Sequence, residues 1–182
     1  EKTQIQALDR TQPGLPLSEG KIGSRTHDYK RHGTTCLYAA FSVLTGRMIG
    51  KMTNRTRSKE FLSFMKKVDR STPRGKDLHV ILDNHSAHKT AEVKAWLQNK
   101  PRIHFHFTPT SSSWLNAVEG WFAQLERRSL YRGIFSSVPD LNEEIKRYIE
   151  VHNRETAKPF KWTKDARSIL AAVKRAKDAL PN

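Results

Sequence analysis

Cysteine is nearly absent: Cys36 stands alone among 182 residues. A single thiol excludes an internal disulfide framework and fits a reducing compartment, and its apolar neighbours make Cys36 read as a small core residue. No apolar run approaches the roughly 18 residues that a membrane-spanning helix needs, and the basic residues are scattered over several elements, so no membrane partner is expected. Acidic residues are also scarce. Eighteen Asp and Glu face thirty-three Lys and Arg, a formal charge of +15, and such an excess favours a polyanion, nucleic acid first. The start carries neither a signal nor a transit peptide and no initiator methionine; Glu1-Lys-Thr-Gln-Ile-Gln6 reads as the inside of a strand. An N-terminally truncated piece of a longer protein is therefore expected. No internal repeat or low-complexity tract is present, and residues 1–182 suit one core and one domain.

What is there alternates between strand and helix signals. Residues 2–8 read as a strand, and residues 9–33, rich in Gly, Pro and polar groups, read as a long loop. Two β-rich runs, 36–44 and 48–52, flank Thr45-Gly46-Arg47 as a hairpin. Ser58 is the expected N-cap of a helix carrying Phe61, Leu62, Met65 and Val68 at helical spacing. Leu78-His-Val-Ile-Leu82 is a short apolar run of the kind covered on both faces in a sheet. A helix over 90–99, a strand over 103–107, and helices over 114–130, from Ser137 to about Asn153, and from Asp165 onward complete the pattern. Three hairpin-ordered strands followed by strands that enter through crossover helices make an α/β chain. The expected fold class is a mixed sheet, three antiparallel strands then parallel strands, with helices packed on it.

In such sheets ligands bind beyond the carboxyl ends of the strands, and Asp83 falls at one. A carboxylate held there suits a Mg²⁺ ion, which takes one or two carboxylates plus water and phosphate oxygens. It equally suits a residue that only caps a turn. Glu119 sits at the margin of its helix's apolar stripe, between Leu115 at i−4 and Phe122 at i+3. There it is either a ligand or a surface Glu whose stem covers the seam. Periodicity does not choose.

The stretches Asp83-Asn-His-Ser-Ala-His88 and Thr108-Pro-Thr-Ser-Ser-Ser-Trp-Leu-Asn-Ala-Val-Glu119-Gly-Trp-Phe122 resemble the second half of the DDE motif in mariner-like bacterial insertion-sequence transposases. The 36 positions from Asp83 to Glu119 are close to the spacing of that family. The likeness extends to 8–16, Arg31-His-Gly-Thr-Thr35, Thr45-Gly46 and Pro159-Phe-Lys-Trp-Thr163, and so covers most of the chain. It implies an RNase H-like fold and DNA cleavage and strand transfer with two Mg²⁺ or Mn²⁺ ions, Asp83 and Glu119 being catalytic residues and metal ligands. In that family the first of three carboxylates is usually an Asp followed at once by Glu; Glu1 matches the Glu, which places the Asp immediately before this chain. The resemblance further implies an upstream DNA-binding domain, absent here, a homodimer of the full-length protein, and a place in the bacterial cytoplasm, on the nucleoid.

Beside the two acids, Asn84 and His88 are expected to orient Asp83 or to touch a phosphate, and Asn116 to support Glu119. Arg31, His32, Arg55, Arg57, Arg127 and Arg128 are the expected DNA-binding residues, members of basic clusters suited to phosphate contacts. A zinc site is not expected: His85, His88, His104 and His106 have no cysteine companion and no structural-zinc spacing. Two other functions are open, a DNA-binding remnant with a defective site and an RNase H-like nuclease without strand transfer.

Overall fold

The Thr45-Gly46 turn sets the first sheet. In the computed structural model, which describes residues 1–10, 29–109, 116–163 and 165–178, Gly46 takes φ +73°, a conformation that costs glycine nothing. It joins β2 (Tyr29–Phe41) to β3 (Met48–Thr53), antiparallel, with Cys36 opposite Thr53 and Phe41 opposite Met48. A Cβ at position 46 would overlap the backbone of Lys158. Gly46→Ala is therefore expected to lower stability by at least about 2 kcal/mol, the left-handed conformation and the clash adding. A denaturant midpoint within error of the wild type would contradict this.

β1 (Lys2–Arg10) lies on the other side of β2. The loop expected over 9–33 is shorter than its composition suggests, because Asp9 pairs with Lys30 and Arg10 with Tyr29. Backbone pairing outweighs a polar, Gly-containing sequence there. Residues 11–28 of that expected loop lie outside the described residues. The β1–β2 ladder slips between Lys2 and Ile5, where Gln4 adopts φ +51°. This bulge inserts one extra residue into β1, so Lys2 opposite Leu37 and Ile5 opposite Thr35 share a sheet face that plain alternation would have split.

α1 (Ser58–Ser71) follows, buried through Phe61, Phe64, Met65 and Val68. The expected cap is corrected: Arg57 is the N-cap and Ser58 the first helical residue, because the Ser58 hydroxyl is turned to Glu92 Oε2, 3.4 Å away. β4 (Leu78–Leu82), α2 (Ala91–Gln98) and β5 (Ile103–Phe107) form a βαβ unit whose strands pair in parallel, Leu78 with Ile103 through Leu82 with Phe107. The expected fold class is borne out: three antiparallel strands, then a parallel pair, with helices packed on them, an arrangement consistent with an RNase H-like fold. Among the described residues the strands fall in two hydrogen-bonded sheets, β1-β2-β3 and β4-β5; β1 pairs with β2 only from Leu37 backward, so the Tyr38–Phe41 half of β2 has its ladder with β3 alone. One expectation changes. β4 is not covered on both faces, since His79 and Ile81 are exposed while Leu82 is buried.

α1 ties the two sheets together. Its apolar face meets Tyr38 of β2 on one side and Leu82, Val93 and Ile103 of the βαβ unit on the other. The opposite face of the first sheet, with Ile5, Ala7, Leu37 and Met48, is covered by α3 (Ala117–Leu125) and α4 (Val138–Val151) through Val118, Trp121, Phe122, Leu125, Leu141 and Ile145. The helix expected over 114–130 is α3 plus a π-helical turn, Glu126–Leu130; positions 114 and 115 are not described. Ser137 caps α4: its hydroxyl accepts from Asp140 N at 3.2 Å, while the Asp140 carboxylate accepts from Ser136 N, one residue before the cap, at 3.1 Å. α4 runs on through a second π-helical turn to Thr156, from which Asn153 bonds both the N–H (2.7 Å) and the C=O (2.8 Å) of Met48. α5 (Ala166–Asp178) leaves Leu170 68% exposed.

Arg102, just before β5, closes the βαβ unit onto α1. Its Nε donates to Asp69 Oδ1 (3.0 Å), Nη2 to Asp69 O (2.7 Å), and Nη1 to Pro73 O (2.9 Å) and Lys76 O (3.1 Å). Lys100 Nζ adds a bond to Asp69 Oδ2 at 2.8 Å. These hydrogen-bonded cations hold the Asp69 carboxyl below its ordinary range.

Candidate active site

Asp83 ends β4 because the strand's last ladder bond, Thr108 N–H to Leu82 O at 2.9 Å, lies just before it. Its side chain is 50% exposed. A 3₁₀ turn follows, Ser86–His88, whose N-cap His85 accepts from Ala87 N at 3.2 Å. The turn swings His88 back under Asp83, where the ring is buried and packs on Phe61 with centroids 4.2 Å apart. His88 Nδ1 lies 3.1 Å from Asp83 Oδ1 and 3.3 Å from Asp83 O. A buried ring wedged against an aromatic has few alternative rotamers, so it fixes the carboxylate that it touches.

Glu1 completes the group from the other sheet. The bulge at Gln4 turns Glu1 to the Tyr38 face, and its Oε2 is 3.8 Å from His88 Nε2, beyond hydrogen-bond length. Burial pushes the Glu1 carboxyl up, while the His88 and His85 rings draw it down, to below its ordinary range. Burial and the neighbouring Glu1 carboxylate raise the Tyr38 phenol, which therefore stays protonated. Oε2 of Glu1 is buried without a hydrogen-bond donor among the described residues. Ligand atoms of Glu1, His85 and His88 all lie within 4.8 Å of one another.

The other expected residues are spread around this core. Glu119, in the first turn of α3, is exposed, and it has no hydrogen bond or ion pair with Asp83 among the described residues. Asn116 is the N-cap of α3: its Oδ1 accepts from Val118 N at 3.4 Å and its carbonyl from Glu119 N at 3.0 Å. It thus supports Glu119 through the helix start. Asn84 is exposed and has no hydrogen bond to Asp83 among the described residues. Arg57, the cap of α1, accepts through its carbonyl from Tyr38 OH at 3.5 Å, which sets it near Glu1; Arg55 is two residues away. Arg127 and Arg128 are exposed on the π-helical turn, next to Glu126, which pairs with Lys2 at 3.1 Å. Arg31 and His32 stand at the far end of the first sheet, opposite Leu8 rather than Lys2, about 20 Å of strand from Glu1. His32 there faces Asp9 at 3.5 Å, and the Arg31 guanidinium lies over Tyr29 at 5.3 Å.

The donors divide by chemistry. Asp83 and Glu119 offer exposed carboxylate oxygens that are not engaged by Lys or Arg among the described residues, which fits a hard divalent cation that keeps water and phosphate oxygens. His85 and His88 offer nitrogen, which such a cation does not favour.

The profile of the DDE superfamily endonucleases matches residues 7–142. The chain belongs to that family. Over 116 residues, 64% of its length, it is also 28% identical to a Shigella sonnei protein described as "Insertion element IS630 uncharacterized 39 kDa protein". That match spans 32% of the relative's length. The mariner-like insertion-sequence resemblance is borne out by both findings. As a DDE endonuclease the chain belongs to a family that generally works with divalent metal ions. No helix of the described residues is long and apolar enough to cross a membrane.

The approach of Glu1 to His88, and of Tyr38 to Glu1, was not legible in the sequence. The bulge that turns Glu1 toward His88 has no sequence signature beyond a polar Gln4. His88 did have one: a histidine five positions after a strand-ending Asp reaches back across a single turn.

Proposed function

We propose that the chain is catalytic region of a transposase that cleaves DNA and transfers the cut strand, with Asp83 and Glu119 holding two Mg²⁺ or Mn²⁺ ions. The supporting observation is the strand-end placement of Asp83, half exposed, with one carboxylate oxygen fixed by the buried His88. Bound ions would supply activation of the attacking hydroxyl and stabilisation of the departing oxygen. The chain's own part is positioning: His88 holds Asp83, Asn116 starts the helix carrying Glu119, and Arg55, Arg57, Arg127 and Arg128 take up DNA phosphates on either side. Arg31 and His32 would reach phosphates further along a bound duplex.

A third carboxylate is proposed at the residue before Glu1, as in the family pattern. By alternation it would share the Lys2 face of β1, the face that α3 covers. Residues 1–182 alone are then expected to bind DNA with little or no cleavage. The full-length protein is proposed to act as a homodimer on DNA in the bacterial cytoplasm, at the nucleoid.

The test is a plasmid-nicking and strand-transfer assay on the protein extended upstream of Glu1, with Mg²⁺ or Mn²⁺ and a pre-cut transposon end. Nicking together with joining supports the proposal. Nicking without joining indicates a nuclease of the same fold. Neither activity, with DNA binding retained, indicates a remnant.

A further inference from the structure

The face of the β4-β5 pair that α1 and α2 leave open carries three imidazoles. Parallel register sets His79 of β4 directly opposite His104 of β5, and His106 opposite Ile81, so side-chain alternation puts all three rings on one exposed surface. His79 Nδ1 is 2.9 Å from His106 Nε2, and the His79 ring stacks on His104 with centroids 4.9 Å apart. Among the described residues no carboxylate contacts these rings. The Asp83 site uses none of them.

From this geometry we infer a binding site for a borderline transition-metal cation, of the Zn²⁺ or Ni²⁺ class, on His79, His106 and His104. Two imidazole nitrogens bound tetrahedrally at ordinary zinc distances stand roughly 3.3 Å apart. The His79–His106 pair is within a few tenths of an ångström of that bite. A metal ion would take the place of the proton shared between the two rings. His104, exposed beside His79, reaches the same ion by side-chain rotation, and water fills the fourth position. The ligands sit on two rigid, directly paired strands, which favours a preformed site. His79 and His104 are 25 positions apart in the chain, so no local ligand spacing announces the set. Bound metal would staple β4, which ends at Asp83, to β5. The site is chemically distinct from a Mg²⁺ site because nitrogen donors select borderline cations over hard ones.

The test uses residues 1–182 as they stand, titrated with ZnCl₂ and separately NiCl₂ by calorimetry at pH 7.5 and 5.5, with thermal melts in parallel. One ion is expected to bind with micromolar affinity, to raise the melting temperature, and to bind more weakly at pH 5.5, since the ligating imidazoles must be neutral. His79→Gln and His106→Gln should each lower affinity at least ~10-fold without changing the melt of the metal-free protein. Asp83→Asn and His85→Ala should leave binding intact, which separates this site from the Asp83 group. The inference is overturned by absence of Zn²⁺ and Ni²⁺ binding, or by binding that survives the His79/His106 double substitution. Loss of binding on His88→Ala alone would overturn it too, by assigning the ion to Glu1, His85 and His88.

Discussion

Asp83→Asn in the upstream-extended protein is expected to lower Mg²⁺-dependent DNA nicking by on the order of 10³-fold or more, with DNA affinity little changed. Asn is nearly isosteric with Asp, and its Oδ1 can still accept from His88 Nδ1, now 3.1 Å from the Asp83 carboxylate. The turn that ends β4 should therefore keep its shape. What is lost is the negative charge, which a hard divalent cation needs in its ligand set. DNA affinity is expected to rest instead on the phosphate contacts proposed for the basic residues, which the substitution does not touch. Glu119→Gln should behave in the same way, because its carboxylate is exposed and has no structural partner among the described residues. Single-turnover nicking of a supercoiled plasmid, with binding measured in Ca²⁺, reads both effects. Nicking by Asp83→Asn at the wild-type rate would remove Asp83 from the chemistry.

The largest stability effect is expected at Arg102. Arg102→Ala removes a guanidinium that bonds Asp69 and two further carbonyls and leaves Asp69, whose side chain is 13% exposed, with Lys100 alone. Breaking a part-buried ion pair from one side costs about 3 kcal/mol, here because Asp69 Oδ1 and the carbonyls of Asp69, Pro73 and Lys76 lose their donor while Lys100 still neutralises the carboxylate. For a chain of this size that corresponds to a melting temperature lower by roughly 10 °C. Asp69→Asn should cost less, since its amide oxygen and the backbone carbonyl of residue 69 can still accept from Arg102, and the cations left without a counter-charge are more exposed than the carboxylate. The pH dependence has a definite sign. The folded-state pKa of Asp69 is depressed, so its contribution is present above the unfolded value of about 3.9 and is lost as pH falls through the folded value. The stability gap between wild type and Asp69→Asn should therefore narrow in acid. A gap that widened below pH 4 would contradict the assignment.

Local patterns carried the element order a long way. Period-two and helical spacing placed β3, α1, β4, α2, β5 and α4 to within a residue or two, and Ser137 caps α4 as a Ser-x-x-Asp sequence leads one to expect. They failed where a partner decides. Residues 29–33 look like loop, but β1 offers them a ladder. Ser58 looks like a cap, but Glu92 draws its hydroxyl away. β4 looks doubly covered, yet its outward positions are His79 and Ile81, and no helix of the described residues lies over them. Phe64 fell outside the apolar positions singled out for α1, and it is buried because α1 serves two sheets and needs a wider apolar face.

Composition and motif alone determined that this is a polyanion-directed α/β chain with a carboxylate at a strand end, and the Asp83–Glu119 motif pair already pointed to the DDE endonucleases. Such features survive in one dimension because they are local or counted. Tertiary structure decided what surrounds Asp83. The bulge at Gln4 shifts the parity of β1 and sends Glu1 to the His88 side, a one-residue offset that alternation cannot show. Parallel pairing, which only the folded βαβ unit supplies, brings His79 beside His104 and His106. In both cases the decisive contact lies between residues distant in the chain, and strand register, not residue type, makes it.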